Sequence, residues 1–156
     1  MFYVDPTGYH GWAVGLHDDA TSCPWGSQSG TYLNIPNLPD CSNIRTAISD
    51  FDGQQNTFHI RNYNSASYYP AAYSVDFAND WYLPAAGQAY HLYATIPAVN
   101  NSLQLVGGTL IPTNASWTYW TSSEISSVFV WILSSTNGLR IEEKSDYYSV
   151  RAVCSF

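Results

Sequence analysis

Charged side chains are scarce in this sequence, and basic ones most of all. Of 156 residues, 5 are Lys or Arg and 12 are Asp or Glu, so the net charge is −7 and the charged fraction is only 11%. Lys144 is the single lysine, and the arginines are far apart along the chain. Binding to a nucleic-acid backbone or to an anionic membrane needs clustered basic groups. We therefore expect neither nucleic acid nor a membrane surface as a partner.

Long apolar runs are also absent. No segment approaches the roughly 18 consecutive apolar residues of a membrane-spanning helix, so we expect no membrane insertion by this domain. Aromatic residues reach 16%, with 13 Tyr and 6 Trp. Disordered chains contain few aromatic residues, so we expect this chain to fold. The length predicts one domain over residues 1–156. Because a strand-like segment follows Met1 without a basic and apolar leader, we expect this domain to come from a longer protein.

Cysteine is limited to Cys23, Cys41 and Cys154. An odd number allows at most one internal disulfide. Cys23 and Cys41 flank a loop rich in Gly, Ser and Pro, and the sequence leaves open whether they form a bridge. No CxxC pair or His/Cys cluster predicts a zinc site. Asp18 and Asp19 are the one place where the sequence allows a structural calcium ion, and no other cofactor is expected.

Turn residues and hydrophobic spacing predict the elements along the chain. The first half predicts a hairpin of strands 2–4 and 11–17, a long loop over 18–40, a helix carrying Ile44, Ala47, Ile48 and Phe51 that is capped by Ser42 or Asn43 and ended by Gly53, a short helix over 54–62, and irregular structure over 63–80. The second half predicts a strand at 81–84, a helix over 85–96, a further turn or two over 98–106, and strands at 119–123, 129–133, 139–143 and 149–156, with Asn137-Gly138 as a hairpin turn. This order predicts the fold class α+β.

Motifs for catalysis are not found. No glycine-rich phosphate loop follows a strand, and the four histidines are not spaced as metal ligands. Glu142 and Glu143 are neighbours on a predicted strand, so their side chains point to opposite faces and cannot act as a carboxylate pair. We predict no catalytic residue and no enzymatic activity.

The C-terminal strands carry many large apolar residues. Strand alternation places Phe129, Trp131 and Leu133 on one face and Val130 and Ile132 on the other. Two interpretations are open. The sheet is buried on both faces, or it exposes a patch of tyrosine, aliphatic and short polar residues of the kind that recognises other molecules.

A set of segments spread along the chain carries a family signature. They are Trp81-Tyr82-Leu83-Pro84-Ala85-Ala86-Gly87-Gln88, Val106-Gly107-Gly108-Thr109, Tyr119-Trp120-Thr121-Ser122-Ser123-Glu124, Trp131, Gly138, Lys144 and Val150-Arg151-Ala152-Val153. With them, the chain resembles a bacterial C-type-lectin-like domain of the Bacteroides surface-protein type, and also the variable proteins of diversity-generating retroelements. The resemblance covers nearly the whole chain. It implies a C-type-lectin-like fold with paired N- and C-terminal strands, two or more short helices and a small antiparallel display sheet.

The resemblance also implies two sets of residues in a C-terminal cassette, about 120–148, and in the strand that follows it. The scaffold set comprises Trp120, Ser122, Ser123, Glu124, Trp131, Gly138, Lys144 and Val150-Arg151-Ala152-Val153. The display set, which would vary and bind the ligand, comprises Ile125, Ser126, Ser127, Val128, Phe129, Ile132, Ser134, Leu139, Ile141, Asp146, Tyr147 and Tyr148. These display residues are all reachable when an Asn codon ending in a pyrimidine is randomised at its first two bases.

The function implied by the resemblance is a non-enzymatic recognition module that binds an extracellular protein or glycan. Such a module would lie on the cell surface, be secreted, or belong to a phage virion. The alternative is a structural or oligomerising tip domain with no diversified site, and the oligomeric state is not predicted. Calcium-dependent sugar binding is not expected, because Ile35-Pro36-Asn37 and Asn79-Asp80-Trp81 differ from the calcium motifs of lectin relatives. The activity of formylglycine-generating enzymes, whose fold is similar, is not expected because Cys154 lacks a second active-site cysteine.

Overall fold

The computed structural model describes residues 1–26 and 34–156, and it confirms the predicted α+β class. Its strands are β1 (Tyr3–Val4), β2 (Gly11–Val14), β3 (Ala20–Pro24), β4 (Thr118–Glu124), β5 (Phe129–Ser134), β6 (Gly138–Glu143), β7 (Tyr147–Val150) and β8 (Val153–Ser155). Its helices are α1 (Ile44–Ile48), α2 (Gly53–Tyr63), α3 (Pro70–Ser74) and α4 (Ala86–Leu105), and a 3₁₀ turn covers Phe77–Asn79.

The two ends of the chain meet in a three-stranded sheet, with the order β1-β2-β8. Strand β2 pairs antiparallel with both neighbours, and Trp12 lies opposite Ser155. The paired N- and C-terminal strands implied by the resemblance are therefore present. The second sheet has five strands in the order β3-β7-β4-β5-β6 and contains the C-terminal cassette.

Local signals account for several boundaries. Asn43 caps α1 by accepting hydrogen bonds from the backbone N–H groups of Arg45 and Thr46, while the Thr46 hydroxyl accepts from the Asn43 N–H. The predicted hairpin turn before β6 is also present, and Gly138 has φ of +68° there. A residue with a side chain rarely adopts that left-handed conformation, which explains the glycine.

The structure corrects the predicted elements wherever a distant segment decides the local conformation. The predicted loop over 18–40 contains β3, which exists because it pairs with β7, while residues 27–33 of that prediction lie outside the described residues. The predicted irregular stretch 63–80 contains α3 and the 3₁₀ turn. The predicted strand at 81–84 is a single bridge between Tyr82 and Val153. The predicted last strand is interrupted at 151–152 and divides into β7 and β8.

Two helix predictions are also corrected. Residues 86–105 form one continuous helix with Pro97 inside it, although proline removes one backbone hydrogen bond. Burial of Leu92, Ile96, Val99 and Leu103 along one side stabilises the unbroken helix. Gly53 does not end the first helix but begins α2. A Cβ atom there would lie 2.7 Å from the Leu83 carbonyl oxygen and 2.8 Å from the Ala85 backbone nitrogen, so only glycine allows this close approach.

The three cysteines are free thiols, so Cys23 and Cys41 do not form the disulfide that the sequence left open. They lie in two separate environments. Cys23 lies on β3 opposite Tyr148. Cys41 is buried, and its thiol donates to the Asp50 Oδ2 atom at 3.6 Å. Burial raises the pKa of the Cys41 thiol to about 12, and the Asp50 carboxylate adds to that effect.

Candidate functional site

The scaffold set is buried throughout, from Trp120 to Val153. Its two serines have specific partners in the interior. The Ser123 hydroxyl donates to the Asp50 carboxylate at 2.5 Å and accepts from the Ala86 N–H at 2.7 Å, and the Ser122 hydroxyl accepts from the Asn56 amide at 3.3 Å. Polar groups that are buried in this way need such partners. They join β4 to α2 and to the start of α4, so the cassette rests on a defined base.

The central strands of the larger sheet are covered on both faces. On one face, Trp120, Val130 and Ile132 pack with residues of α2 and α3. On the other face, Leu133 packs against α4, and Trp131 packs against Cys41, Ala47 and Ala86. Of the two interpretations of these strands, burial on both faces is therefore correct for β4 and β5.

Two members of the display set are corrected by this burial. Ile132 is 1% exposed and Ser134 is 5% exposed, so neither side chain reaches a ligand outside the domain. The physical reason is that α2 and α3 cover the face on which Ile132 lies. Strand alternation identifies which residues share a face, but it does not show that the face is covered.

The isoleucine pair Ile132 and Ile141 gives a direct test of this assignment. Ile132 is 1% exposed, whereas Ile141 on the adjacent strand β6 is 47% exposed. We expect Ile132→Ala to lower the free energy of unfolding by about 2–5 kcal/mol, because it leaves a cavity in the core. Ile141→Ala is expected to change it by about 0.5 kcal/mol or less. Urea unfolding monitored by tryptophan fluorescence measures both, and equal effects would contradict the burial of Ile132.

Three further display residues divide their side chains between solvent and core. Ile125 and Leu139 are partly buried and pack against the cluster around Trp131. Tyr148 packs edge-on against Trp120, with ring centres 4.9 Å apart. Burial raises the pKa of the Tyr148 hydroxyl, and the nearby Glu142 and Asp146 carboxylates add to that effect. These three side chains pack on the core with much of their surface, so little of it is left for contact with a ligand.

The remaining seven display residues form what we call the C-terminal surface. Its members are Ser126, Ser127, Val128, Phe129, Ile141, Asp146 and Tyr147. Three large side chains stand out of it, with exposed fractions of 39% for Phe129, 47% for Ile141 and 55% for Tyr147. Phe129 and Ile141 lie on the same face of the β5–β6 hairpin, because Phe129 pairs with Glu143 and Ile141 with Trp131.

Hydrogen bonds fix the backbone of the β4–β5 loop and of the β6–β7 turn, which both belong to the C-terminal surface. The Ser126 hydroxyl accepts from the N–H groups of Val128 at 3.2 Å and Phe129 at 3.1 Å. The Lys144 N–H donates to the Val128 carbonyl at 2.9 Å, which joins the β4–β5 loop to the β6–β7 turn. The Asp146 N–H then donates to the Glu143 carbonyl at 3.1 Å. The surface is thus preorganised, which lowers the entropy cost of binding.

A buried ion pair lies beneath this surface. The Lys144 ammonium contacts the Glu124 carboxylate, and both side chains are almost fully buried. The second Glu124 oxygen accepts from the Ile35 N–H at 2.9 Å, and the Lys144 Nζ atom lies 4.9 Å from the centre of the Trp25 ring. Burial raises the pKa of Glu124 and lowers that of Lys144, while each charge opposes the shift of the other. The pair holds two N-terminal segments against the cassette.

The Asp18-Asp19 pair, which the sequence allows as a calcium site, is occupied by protein groups. Asp18 accepts from the Arg151 guanidinium at 3.0 Å and from the Tyr119 hydroxyl at 3.0 Å. Asp19 accepts from the Ala152 N–H at 2.8 Å. Over the described ranges 1–26 and 34–156, no three His, Cys, Asp or Glu residues are grouped so that they could hold a metal ion. At Asp18 the positive charge is supplied by Arg151, with which it forms an ion pair.

Sequence reasoning missed Trp25, which lies in the stretch predicted to be loop. Trp25 is 1% exposed, and its indole N–H donates to the Thr121 carbonyl at 2.7 Å. Its ring also packs edge-on against Tyr69, with centres 5.6 Å apart. The available signal was a large aromatic residue within a polar, glycine-rich stretch, since tryptophan seldom occurs in a solvated loop without a packing role.

Comparisons with known proteins show a likeness of fold. A scan of protein-family models and a search of curated proteins give no match. Among solved structures, the crystal structure of a fimbrial protein from Bacteroides ovatus ATCC 8483 superposes with a TM-score of 0.69 at 15% sequence identity. The chain shares the fold of part of that protein. The match covers 94% of this chain and 36% of that one, so this chain spans about a third of its neighbour's length. Within the described residues, no helix is both long and apolar enough to cross a membrane.

Proposed function

We propose that the chain is a non-enzymatic binding module that recognises an extracellular protein or glycan through the C-terminal surface. The observation that carries the proposal is the exposure of Phe129, Ile141 and Tyr147 on a buried and fully hydrogen-bonded base. Binding surfaces concentrate their energy in a few large side chains, often aromatic, surrounded by small polar residues. Ser126 and Ser127 supply polar groups of that kind beside Phe129.

The surface also suits recognition because its side chains lose little entropy when they are immobilised. Phenylalanine and tyrosine have two side-chain torsions, whereas lysine and glutamate lose far more freedom on contact. Asp146 lies within the surface, and the ion pair of Arg140 and Glu142 flanks Ile141.

We further propose that the fold is C-type-lectin-like and that the module is displayed outside a bacterial cell or on a phage virion. The paired chain ends, the two sheets and the buried scaffold set support the fold assignment. The structural neighbour is described as a fimbrial protein of Bacteroides ovatus, which supports a surface location.

We also propose that the residues of the C-terminal surface are varied by a diversity-generating retroelement. The exposed residues Phe129, Ile141 and Tyr147 are reachable from a randomised Asn codon, and they lie where variation does not disturb the core. The coding DNA and its flanks provide the test. We expect a near-identical template copy whose differences from the coding sequence fall at adenines. A flanking region without any such copy would contradict diversification and leave the binding proposal intact.

The binding test uses the variant Phe129→Ser/Ile141→Ser/Tyr147→Ser. The purified domain is first screened on arrays of extracellular proteins and of glycans, and each hit is then measured by biolayer interferometry. We expect the triple variant to bind at least about 30-fold more weakly, since removal of one hot-spot side chain typically costs about 2 kcal/mol or more. Its unfolding temperature should fall by only a few degrees, because the three side chains are exposed.

The matched control for that test is Tyr68→Ser, which removes an exposed aromatic residue outside the cassette. The control is expected to bind with unchanged affinity. If the triple variant bound every hit on both arrays as tightly as the unchanged protein, or if neither array gave a hit, the proposed role of the C-terminal surface would be overturned, whereas a single glycan hit that it keeps is assigned to another site.

A second candidate function, a structural contact domain, is favoured by an apolar groove elsewhere. Met1, Leu16 and Val106 line it together with buried residues of α4, and Leu105 beside it is 87% exposed. Exposed apolar patches often mark contacts with other domains or subunits. The mass in solution distinguishes the two functions. A stable oligomer that Leu105→Ser and Val106→Ser convert to monomer would favour the structural role, and a monomer would favour the binding module.

A further inference from the structure

A cleft of about 370 Å³ lies on the molecule away from the cassette. We call it the α2 cleft. It is formed where the start of α2 meets the 3₁₀ turn and strand β8, and it is lined by Phe51, Asp52, Gln54, Gln55, Phe58, Phe77, Tyr82 and Ser155. Its volume falls within the range of roughly 300–1,000 Å³ that is typical of small-molecule sites. None of its lining residues belongs to the display set, so the cleft is independent of the C-terminal surface.

Two exposed aromatic rings, Phe51 and Phe58, line the α2 cleft, whose accessible lining is otherwise mostly polar. Phe51 is 41% exposed and Phe58 is 46% exposed, so both present ring area that the fold itself does not bury. Phe51 is fixed from behind, because it stacks on Trp12 with ring centres 5.4 Å apart, and Trp12 stacks in turn on Tyr3 at 4.3 Å. A ligand with flat C–H faces can therefore pack on a wall that is already ordered.

Hydrogen bonds to buried side chains orient one polar group of the cleft. The Tyr82 hydroxyl, whose side chain is almost fully buried, lies 2.6 Å from the Ser155 hydroxyl oxygen. The Gln88 amide donates to the same Tyr82 oxygen at 3.1 Å, and its own oxygen accepts from the Ala85 N–H at 3.0 Å. The exposed Ser155 hydroxyl is thus oriented by its contact with the buried Tyr82.

The rim of the cleft offers both hydrogen-bond donors and acceptors. The Gln54 amide nitrogen donates to the Asp80 carboxylate at 3.2 Å, and the Gln55 amide nitrogen lies 3.0 Å from the His59 Nε2 atom. These contacts orient the two amides, and the Asp52 carboxylate makes no capping bond to the α2 backbone. Asp52 is the one charged residue among the eight that line the cleft, so the lining carries no cation to attract an anionic ligand.

We infer that the α2 cleft binds a neutral saccharide. A pyranose ring has the two features that the cleft matches: a face of C–H groups for Phe51 and Phe58, and a rim of hydroxyl groups that both donate and accept hydrogen bonds. Asp52, Gln54 and Gln55 bond the hydroxyl groups, and Ser155 adds a further hydroxyl partner. No metal ion takes part, so this site differs from a calcium-dependent sugar site.

The test is an array of immobilised neutral, sialylated and sulfated glycans, followed by titration of a bound neutral glycan observed by amide and ligand NMR. We expect binding to neutral glycans, with chemical-shift changes at Gln54, Gln55 and Phe58. Phe58→Ala and Gln54→Ala should each weaken that binding at least tenfold while the unfolding temperature stays within a few degrees, since both side chains are exposed. EDTA should have no effect.

Controls separate this site from the C-terminal surface. The triple variant Phe129→Ser/Ile141→Ser/Tyr147→Ser and the variant Tyr68→Ala are expected to keep the affinity for the neutral glycan. Failure of the C-terminal surface proposal therefore leaves this result unchanged. Binding only to charged glycans, no binding to any glycan, or binding that the triple variant loses and Phe58→Ala keeps would each overturn the inference.

Discussion

Replacing Lys144 by methionine is expected to lower the free energy of unfolding by about 3–5 kcal/mol, because one charge of a buried ion pair is left without its partner. The Glu124 carboxylate would remain in the interior, where it is 6% exposed, with the Ile35 N–H as its recorded hydrogen-bond donor. The cation over the Trp25 ring would be lost as well. A domain of ordinary stability has about 5–15 kcal/mol in total, so this loss is a large share of it. Urea unfolding followed by tryptophan fluorescence measures the difference.

The exposed ion pair of Arg140 and Glu142 is the matched control for Lys144. Its charged atoms are 3.5 Å apart, and the two side chains are 47% and 25% exposed. Arg140→Gln is therefore expected to cost no more than about 1 kcal/mol. The double variant Lys144→Met/Glu124→Leu should lose less than the two single variants combined, because no buried charge is left over. A loss below about 1 kcal/mol for Lys144→Met would show that the buried pair does not stabilise the fold.

Replacing Arg151 by lysine is expected to cost about 3–6 kcal/mol, although the charge is kept, because several buried acceptors lose their donors. Arg151 is 1% exposed, and its guanidinium donates to the carbonyls of Gly15, Leu16 and Thr109 at 2.7–3.0 Å and to the Asp18 carboxylate at 3.0 Å. A lysine ammonium has three donors on one atom and cannot reach four separated acceptors. The variant is tested by thermal unfolding, where each kcal/mol corresponds to about 2–4 °C for a chain of this size.

The control for Arg151 is Arg45→Lys on α1, since Arg45 is exposed and makes no ion pair with another described residue. We expect its unfolding temperature to stay within about 2 °C of the unchanged protein. If Arg151→Lys unfolded at the same temperature as Arg45→Lys, the guanidinium bonds would not be what joins the β2–β3 segment to the residues between β7 and β8.

The elements that sequence reasoning predicted correctly are those with local causes. The capping box at Asn43 and Thr46 forms within four residues, and the Gly138 turn needs only a left-handed backbone between two strands. The elements it missed depend on partners far along the chain. Strand β3 forms against β7, about 125 residues later, and no local pattern in 20–24 records that pairing.

The candidate sites show the same division. The family resemblance implies that signature residues such as Trp120 and Lys144 belong to the scaffold, and the structure buries both. The display residue Ile132 was misplaced, because alternation cannot show that α2 and α3 cover its face. The α2 cleft had no sequence signal at all, since Phe51, Phe77, Tyr82 and Ser155 are brought together only by the fold.

The sequence by itself determined the α+β class, the positions of strands β4, β5 and β6, the scarcity of charge and the absence of clustered basic residues along the chain. These follow from composition and from interactions between residues close in the chain. Only the tertiary structure decided which apolar residues remain exposed, that Asp18 pairs with Arg151, and where a cleft forms. The physical reason is that the exposure of a side chain and the shape of a cleft depend on which helices and strands pack against each other. That packing joins residues that are far apart in the chain.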